Sequence, residues 1–218
     1  MNSARTTART SDGALRDEHA RLTRRRIIDA AYASFVEGSG YSRTTIAALA
    51  RAAEVSPQTI YNTFGSKATL LKSVYDIRLA GDDEPLPLAD RPEITDLVSL
   101  TDAAEFLRGY ARLGARLLDR LGPLVAMVVE GAAAGDADLR ELVATVGRER
   151  FVGATSAVDR VVALGALRPG LSATTAAELV WTLDSFEVWD LLVRQRGWAS
   201  ADYANYVGQA MVDAILRS

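Results

Sequence analysis

Gln58, Thr59, Tyr61 and Asn62 stand close together in one short segment, and each has a side chain suited to a nucleic-acid edge. The amide of Gln58 or Asn62 can pair with adenine, and the Thr59 methyl can pack on the methyl of thymine. Tyr61 and Lys67 suit phosphate contacts, with Thr44, Thr45 and Arg43 beside them. Phosphate contacts set affinity and register, whereas base contacts set sequence preference. Ser56 and Pro57 complete the set, because a capped helix start offers free N–H groups and partial positive charge to an anion.

These residues need a scaffold, and TTIAALARAAEVSPQTIYNTFGSK (residues 44–67) supplies the pattern of one. Ile46, Leu49, Ala50 and Ala53 follow i, i+3, i+4, i+7 spacing and make the apolar stripe of a short helix. Thr44 and Thr45 precede it as N-cap candidates. A second short helix starts with Ser56 as cap, Pro57 at the first helical position and Val55 able to staple onto Ile60. Ile60 and Phe64, four apart, anchor it and leave Gln58, Thr59, Tyr61 and Asn62 partly or wholly outward. Two short helices with a polar outer face on the second form a helix-turn-helix.

The whole chain carries a net charge of -3, which looks wrong for a nucleic-acid binder until it is divided. Residues 1–80 hold 12 Lys+Arg against 7 Asp+Glu, net +5, and residues 81–218 hold 13 against 21, net -8. A basic first third joined to an acidic remainder fits a protein in which only the first part meets phosphates. Arg21, Arg24, Arg25 and Arg26 concentrate this charge ahead of Ile27, Ile28, Ala31 and Phe35.

The pattern predicts an all-α chain in four parts: a disordered, mildly basic tail (1–20), a helix-turn-helix domain with its connecting helix (21–80), a linker (81–93) and a larger helical domain (94–218). The first helix is expected over about 22–37, ending at Gly38-Ser39-Gly40. A fourth runs from Ser66-Lys67 to Gly81 through Leu70, Leu71, Val74 and Ile77. The linker, GDDEPLPLADRPE, has three prolines and five acids in 13 residues. Beyond it, Phe106, Tyr110, Leu113, Leu117 and Leu121 stripe one helix, which Gly122-Pro123 should end, and Leu124–Ala134 makes another. Asp136 or Asp138 caps a long helix over 139–164, and two more are expected over 172–196 and 200–217.

Several chemistries are excluded by what is missing. With no Cys and one His, His19, the chain has no thiolate or His/carboxylate metal spacing, no disulfide and no phosphate-binding glycine loop. No catalytic residue, metal or cofactor is expected. The first 20 residues lack the apolar core of a secretory signal, and no apolar run is long enough to span a bilayer, so a cytoplasmic protein without membrane contact is expected.

Gly40-Tyr41, Thr44-Thr45, Ile46, Leu49-Ala50, Ala53, Val55-Ser56, Thr59, Tyr61, Phe64 and Ser66-Lys67 together resemble the DNA-binding domain of the TetR family of bacterial transcriptional regulators. The resemblance covers roughly residues 24–75, with apolar, capping and polar positions in register. EGAAAGDADLREL at 130–142 is similar to a segment common in these regulators. Two positions depart from the family pattern. Glu54 stands where the family commonly has Gly in a left-handed turn, and Asn62 stands where it often has His.

The resemblance implies a two-fold dimer on a pseudo-palindromic operator, probed by a small-molecule effector in the second domain and released from DNA as a repressor would be. The alternative is a DNA-binding regulator that is constitutive or governed by a protein partner. Leu179, Leu183, Phe186, Trp189, Tyr206 and Met211 are the expected dimer interface, since the 172–196 segment is apolar on more than one face. Phe106, Tyr110, Leu113, Met127, Phe151 and Trp181, with Glu130 as a polar anchor, are the candidate walls of a pocket for an apolar or aromatic molecule.

Overall fold

The computed structural model describes residues 3–82, 84 and 86–217; its regular structure is helical, with one isolated antiparallel bridge between Leu167 and Leu216. Met1 and Asn2 of the expected tail, Asp83 and Pro85 of the expected linker, and Ser218 lie outside the described residues. The chain divides into two compact units, Met1–Arg78 and Leu79–Ser218. Among the described residues no helix is long and apolar enough to cross a membrane.

The first unit contains α1 (Ser3–Tyr32), continued by a wide π-type turn over Ala33–Glu37, then α2 (Ile46–Ala52), α3 (Pro57–Phe64) and α4 (Lys67–Ala80). α1 begins at Ser3, inside the segment expected to be a disordered tail. Residues 3–20 contain no proline, so nothing in the sequence ends the helix ahead of the arginine cluster. Nor is that stretch basic, because Arg5, Arg9 and Arg16 are offset by Asp12, Asp17 and Glu18. The positive excess therefore begins at Arg21.

Ile27, Ile28, Ala31 and Phe35 from the α1 segment, Leu49 and Ala50 from α2, Ile60 and Phe64 from α3, and Leu70, Leu71 and Val74 from α4 are all buried. Phe35 meets Tyr41 edge-on at 5.2 Å between ring centroids, a favoured aromatic geometry. The arginines ahead of this core are used structurally. Arg24 lies 4.7 Å over the Phe64 ring and donates to Ser73 Oγ.

The turn between α2 and α3 closes as a Schellman motif. The Val55 N–H donates to the Ala50 carbonyl at 2.9 Å, and the Glu54 N–H to the Arg51 carbonyl at 3.3 Å. This geometry needs a left-handed residue, and Glu54 supplies it with φ 55°, alone among the described non-glycine residues. The chain closes α6 and α7 with the same bonds, but there Gly135 (φ 103°) and Gly165 (φ 66°) occupy the left-handed position.

The second unit holds α5 (Pro92–Ser99), α6 (Ala103–Ala133), α7 (Ala137–Ala163), α8 (Ala173–Leu183), the short α9 (Phe186–Trp189) running into a π-type turn over Asp190–Gln195, and α10 (Ser200–Ile215). Asp102, Asp136, Ser172 and Ser185 cap α6 to α9 by accepting main-chain N–H bonds. Its core joins Phe106, Leu107 and Ala111 of α6 to Val158 and Val161 of α7, Val180 of α8, and Tyr203, Val207 and Met211 of α10. Residues 81–93 include a 3-10 turn at Leu88–Asp90 and a two-bond ion pair in which Arg91 donates to both Asp82 oxygens at 2.7 Å.

Two expected boundaries are corrected. Gly122-Pro123 does not end a helix, because α6 runs through it. A Cβ on Gly122 would lie 2.4 Å from the Trp189 ring, so the glycine serves as a notch for that indole. Conversely, the single helix expected over 172–196 is broken at Asp184-Ser185, where Ser185 caps the next turn and Asp184 turns inward.

Candidate nucleic-acid interface

Ser56 starts α3 as the pattern requires: its Oγ accepts from the Thr59 N–H at 3.0 Å, and Pro57 occupies the first turn. With Ile60 and Phe64 buried, Pro57, Gln58, Tyr61 and Asn62 form the exposed face of the helix. Tyr61 is 49% exposed although it is large and apolar-bodied. Gln58 Nε2 donates to Asn62 Oδ1 at 2.7 Å, so the two amides are tied together on the exposed face. Thr59 is half-buried and its hydroxyl is bonded to Ser56 Oγ at 2.8 Å, which leaves the methyl as its free chemistry.

The loop before α2 carries the phosphate candidates. Thr45 is the helix cap, its Oγ1 accepting from the Ala48 N–H at 3.2 Å, and it stays exposed. Arg43 is exposed, with Nε donating to the Ser39 carbonyl at 2.8 Å. Thr44 is corrected. It is only 4% exposed, and its hydroxyl donates to the Gly40 carbonyl at 2.7 Å, so the side chain is part of the loop's interior.

Lys67 also has partners within its own unit. Its Nζ donates to the main-chain oxygens of Tyr41 at 2.9 Å and Thr44 at 3.1 Å, and it lies 4.0 Å over the Tyr41 ring. Two of three ammonium donors therefore hold the loop that carries Arg43 and Thr45. A phosphate contact from the start of α4 is the expectation from sequence; spacing alone does not show the loop carbonyls that meet this ammonium.

Residues 27–74 match the family of bacterial regulatory proteins, tetR family. That match spans 48 of the 218 residues, all within the first unit. The whole fold of the chain is similar to solved structures at low identity. The SmeT–triclosan complex aligns over 90% of this chain and 92% of its own, with TM-score 0.67 and 18% identity. The transcriptional regulator FadR from Bacillus subtilis in complex with stearoyl-CoA aligns over 87% and 98%, with TM-score 0.67 and 19% identity. A regulator from Saccharomonospora viridis in complex with choline aligns over 89% and 98%, with TM-score 0.64 and 19% identity. No curated protein matches. The likenesses establish an all-α TetR-type fold, a helix-turn-helix domain followed by a larger helical domain.

The expected pocket and interface residues of this TetR-type second unit separate into different environments. Phe106 and Leu113 are buried in the core, Tyr110, Met127 and Phe151 are half-buried, and Trp181 is 37% exposed, with Phe151 against it edge-on at 6.3 Å. Glu130 is exposed at the end of α6 and is no interior anchor. Of the expected interface, Phe186 and Trp189 are buried because α9 packs on α6, Met211 is buried on α10 in the same core, and Leu183 is half-buried. Leu179 and Tyr206 remain exposed.

A set of polar residues that spacing did not single out lies inside this unit. The carboxyl of Asp184 packs on the bare Cα of Gly114, where a Cβ would come within 2.6 Å of all three carboxyl atoms. Burial pushes Asp184 up to about 7, against the pull of Arg150. Arg150 does not pair with that carboxyl; it donates to the main-chain oxygens of Asp184 at 2.7 Å and Trp181 at 3.0 Å. Burial, with the nearby Asp184 charge adding to it, raises the hydroxyls of Tyr110 and Tyr203 well above the usual phenol range. The one sequence signal was Asp184-Ser185 interrupting an apolar run, an Asp beside a capping residue.

Proposed function

We propose that this protein is a cytoplasmic, homodimeric repressor that reads a pseudo-palindromic operator and releases it when a small molecule with an apolar or aromatic body binds the second unit. The reading is carried by the exposed polar face of α3, Gln58, Tyr61 and Asn62 over buried Ile60 and Phe64. Gln58 and Asn62, with the Thr59 methyl, would meet base edges. Tyr61, Thr45, Arg43, the remaining Lys67 donor and the capped start at Ser56-Pro57 would meet phosphates. One such head covers too few base pairs for a useful site, so two copies are needed. The outer face of α7 and α8 is the proposed contact between copies. Val152 is 65% exposed there, with Val162 and Leu179 also exposed.

Selection from a random duplex library tests the reading. The expected result is an inverted repeat bound with steep salt dependence. Gln58→Ala should relax preference at one position of each half-site, and Tyr61→Ala should weaken all sites alike. Recovery of no repeat, with affinity equal for every duplex, would overturn it.

A further inference from the structure

Two oxygens in the second unit lack the partner that burial demands. Asp184 Oδ1 and the Tyr203 hydroxyl are enclosed and make no hydrogen bond. Buried polar atoms are normally paired, and each orphan carries a desolvation penalty. Both belong to one neighbourhood, since the Asp184 and Arg150 charges act on Tyr203 and on Tyr110 alike. The elements that could satisfy the carboxyl do not do so. Arg150 directs Nη2 to the main-chain oxygens of Trp181 and Asp184, and α6 offers Gly114, a bare Cα. Tyr110 and Phe151 pack on the core, Phe151 stands edge-on to Trp181, and the Asp119 charge also acts on Tyr203. Two unpaired acceptors beside half-buried Tyr110 and Phe151 are complementary to a group that brings N–H donors and positive charge on an apolar body.

We propose that Asp184 and Tyr203 form the recognition end of a ligand site for a protonated organic amine, with Tyr110 flanking the ammonium. This rests on the reading of the second unit as the effector domain and assigns the chemistry of that effector. The ammonium donates to Asp184 Oδ1 and to the Tyr203 oxygen, and its hydrocarbon part replaces water against the aromatic side chains. A quaternary ammonium carries the charge but no N–H, and an alcohol carries one donor without charge, so both should bind less well.

Titration calorimetry on the full chain at pH 8 tests this with benzylamine, benzyl alcohol and benzyltrimethylammonium. Benzylamine should bind roughly tenfold or more tightly than either analogue. Asp184→Asn should remove that advantage, and Tyr203→Phe, which deletes one hydroxyl and no charge, should reduce it several-fold. Equal binding of the three compounds, no binding of benzylamine, or an advantage that survives Asp184→Asn would each overturn the site. If Asp184→Asn did not fold, the three-compound comparison on the unaltered protein and Tyr203→Phe would still decide. A parallel titration follows release of the selected operator duplex. Benzylamine that binds but leaves DNA affinity unchanged would overturn the effector reading and leave the amine site standing.

Discussion

Lys67 Nζ sits 3.1 Å from the main-chain oxygen of Thr44, joining the start of α4 to the residue before the α2 cap. The same ammonium holds the Tyr41 carbonyl, so one side chain from α4 shapes the loop that presents Arg43 and Thr45. Lys67→Ala should therefore lower thermal stability of the first unit and weaken binding to every duplex. The salt slope separates the two roles. Removing a direct phosphate contact lowers the slope by about 0.9, whereas losing only a loop clamp leaves it nearly unchanged. Fluorescence anisotropy from low to high salt, with melting of the same samples, reads both; an unaltered melting temperature would show that the clamp does not matter.

Glu54 holds a left-handed backbone where Gly135 and Gly165 do the same work in other turns. A side chain there costs roughly 1 kcal/mol relative to glycine. Arg26 lies 3.9 Å from its carboxylate, but both side chains are largely exposed and such pairs contribute little. Glu54→Gly should raise the melting temperature of the first unit by a few degrees without changing the selected DNA sequence. Glu54→Val should lower it, because a β-branched residue fits that conformation worst. The order Gly, Glu, Val in melting experiments is the expected result.

Gly122 and Gly147 both lie inside long helices, yet opposite effects are expected of alanine. A Cβ at Gly122 would meet Trp189 at 2.4 Å, in an indole whose Nε1 donates to Asp119 Oδ1 at 3.3 Å. Gly122→Ala should destabilise by about 1–3 kcal/mol through overpacking. A Cβ at Gly147 meets nothing within 4 Å, so Gly147→Ala should stabilise by up to about 1 kcal/mol through helix propensity. Urea unfolding of both variants measures the two signs.

Asp184 ionises near 4 when unfolded and about 7 when folded, so the folded state holds the extra proton between those values. Its contribution to stability is therefore greatest below pH 4, falls as pH rises to about 7 and is flat above. Burial drives this; Arg150 from α7 opposes it, Tyr110 of α6 and Tyr203 of α10 face the carboxyl, and Asp119 acts on Tyr203. Asp184→Asn should melt increasingly above the unaltered protein between pH 5 and pH 8, by at most about 4 kcal/mol. Asp82 works at the other end of the range. Its hydrogen bonds from Arg91 hold it down at about 2, so its stabilising share is present above pH 4 and lost only as pH falls toward 2. Thermal melts at unit pH steps separate the two, and a difference independent of pH would remove Asp184 as the cause.

What the sequence determined by itself was local. Caps such as Ser56 and Asp136, the first-turn Pro57, and the spacing of Ile60 and Phe64 act within a turn or two, so the helices and the polar face of α3 were legible in the order of residues. Only the tertiary structure decided which polar groups were left over. Thr44 is internal because loop carbonyls close around it, and Lys67 is a clamp because two of them meet its ammonium. Trp189 and Met211 pack inside their own chain because a helix with two apolar faces takes its inner face from whatever else packs there. Asp184 faces inward because Gly114, 70 positions earlier, leaves room for a carboxyl, and no periodicity carries information across that separation.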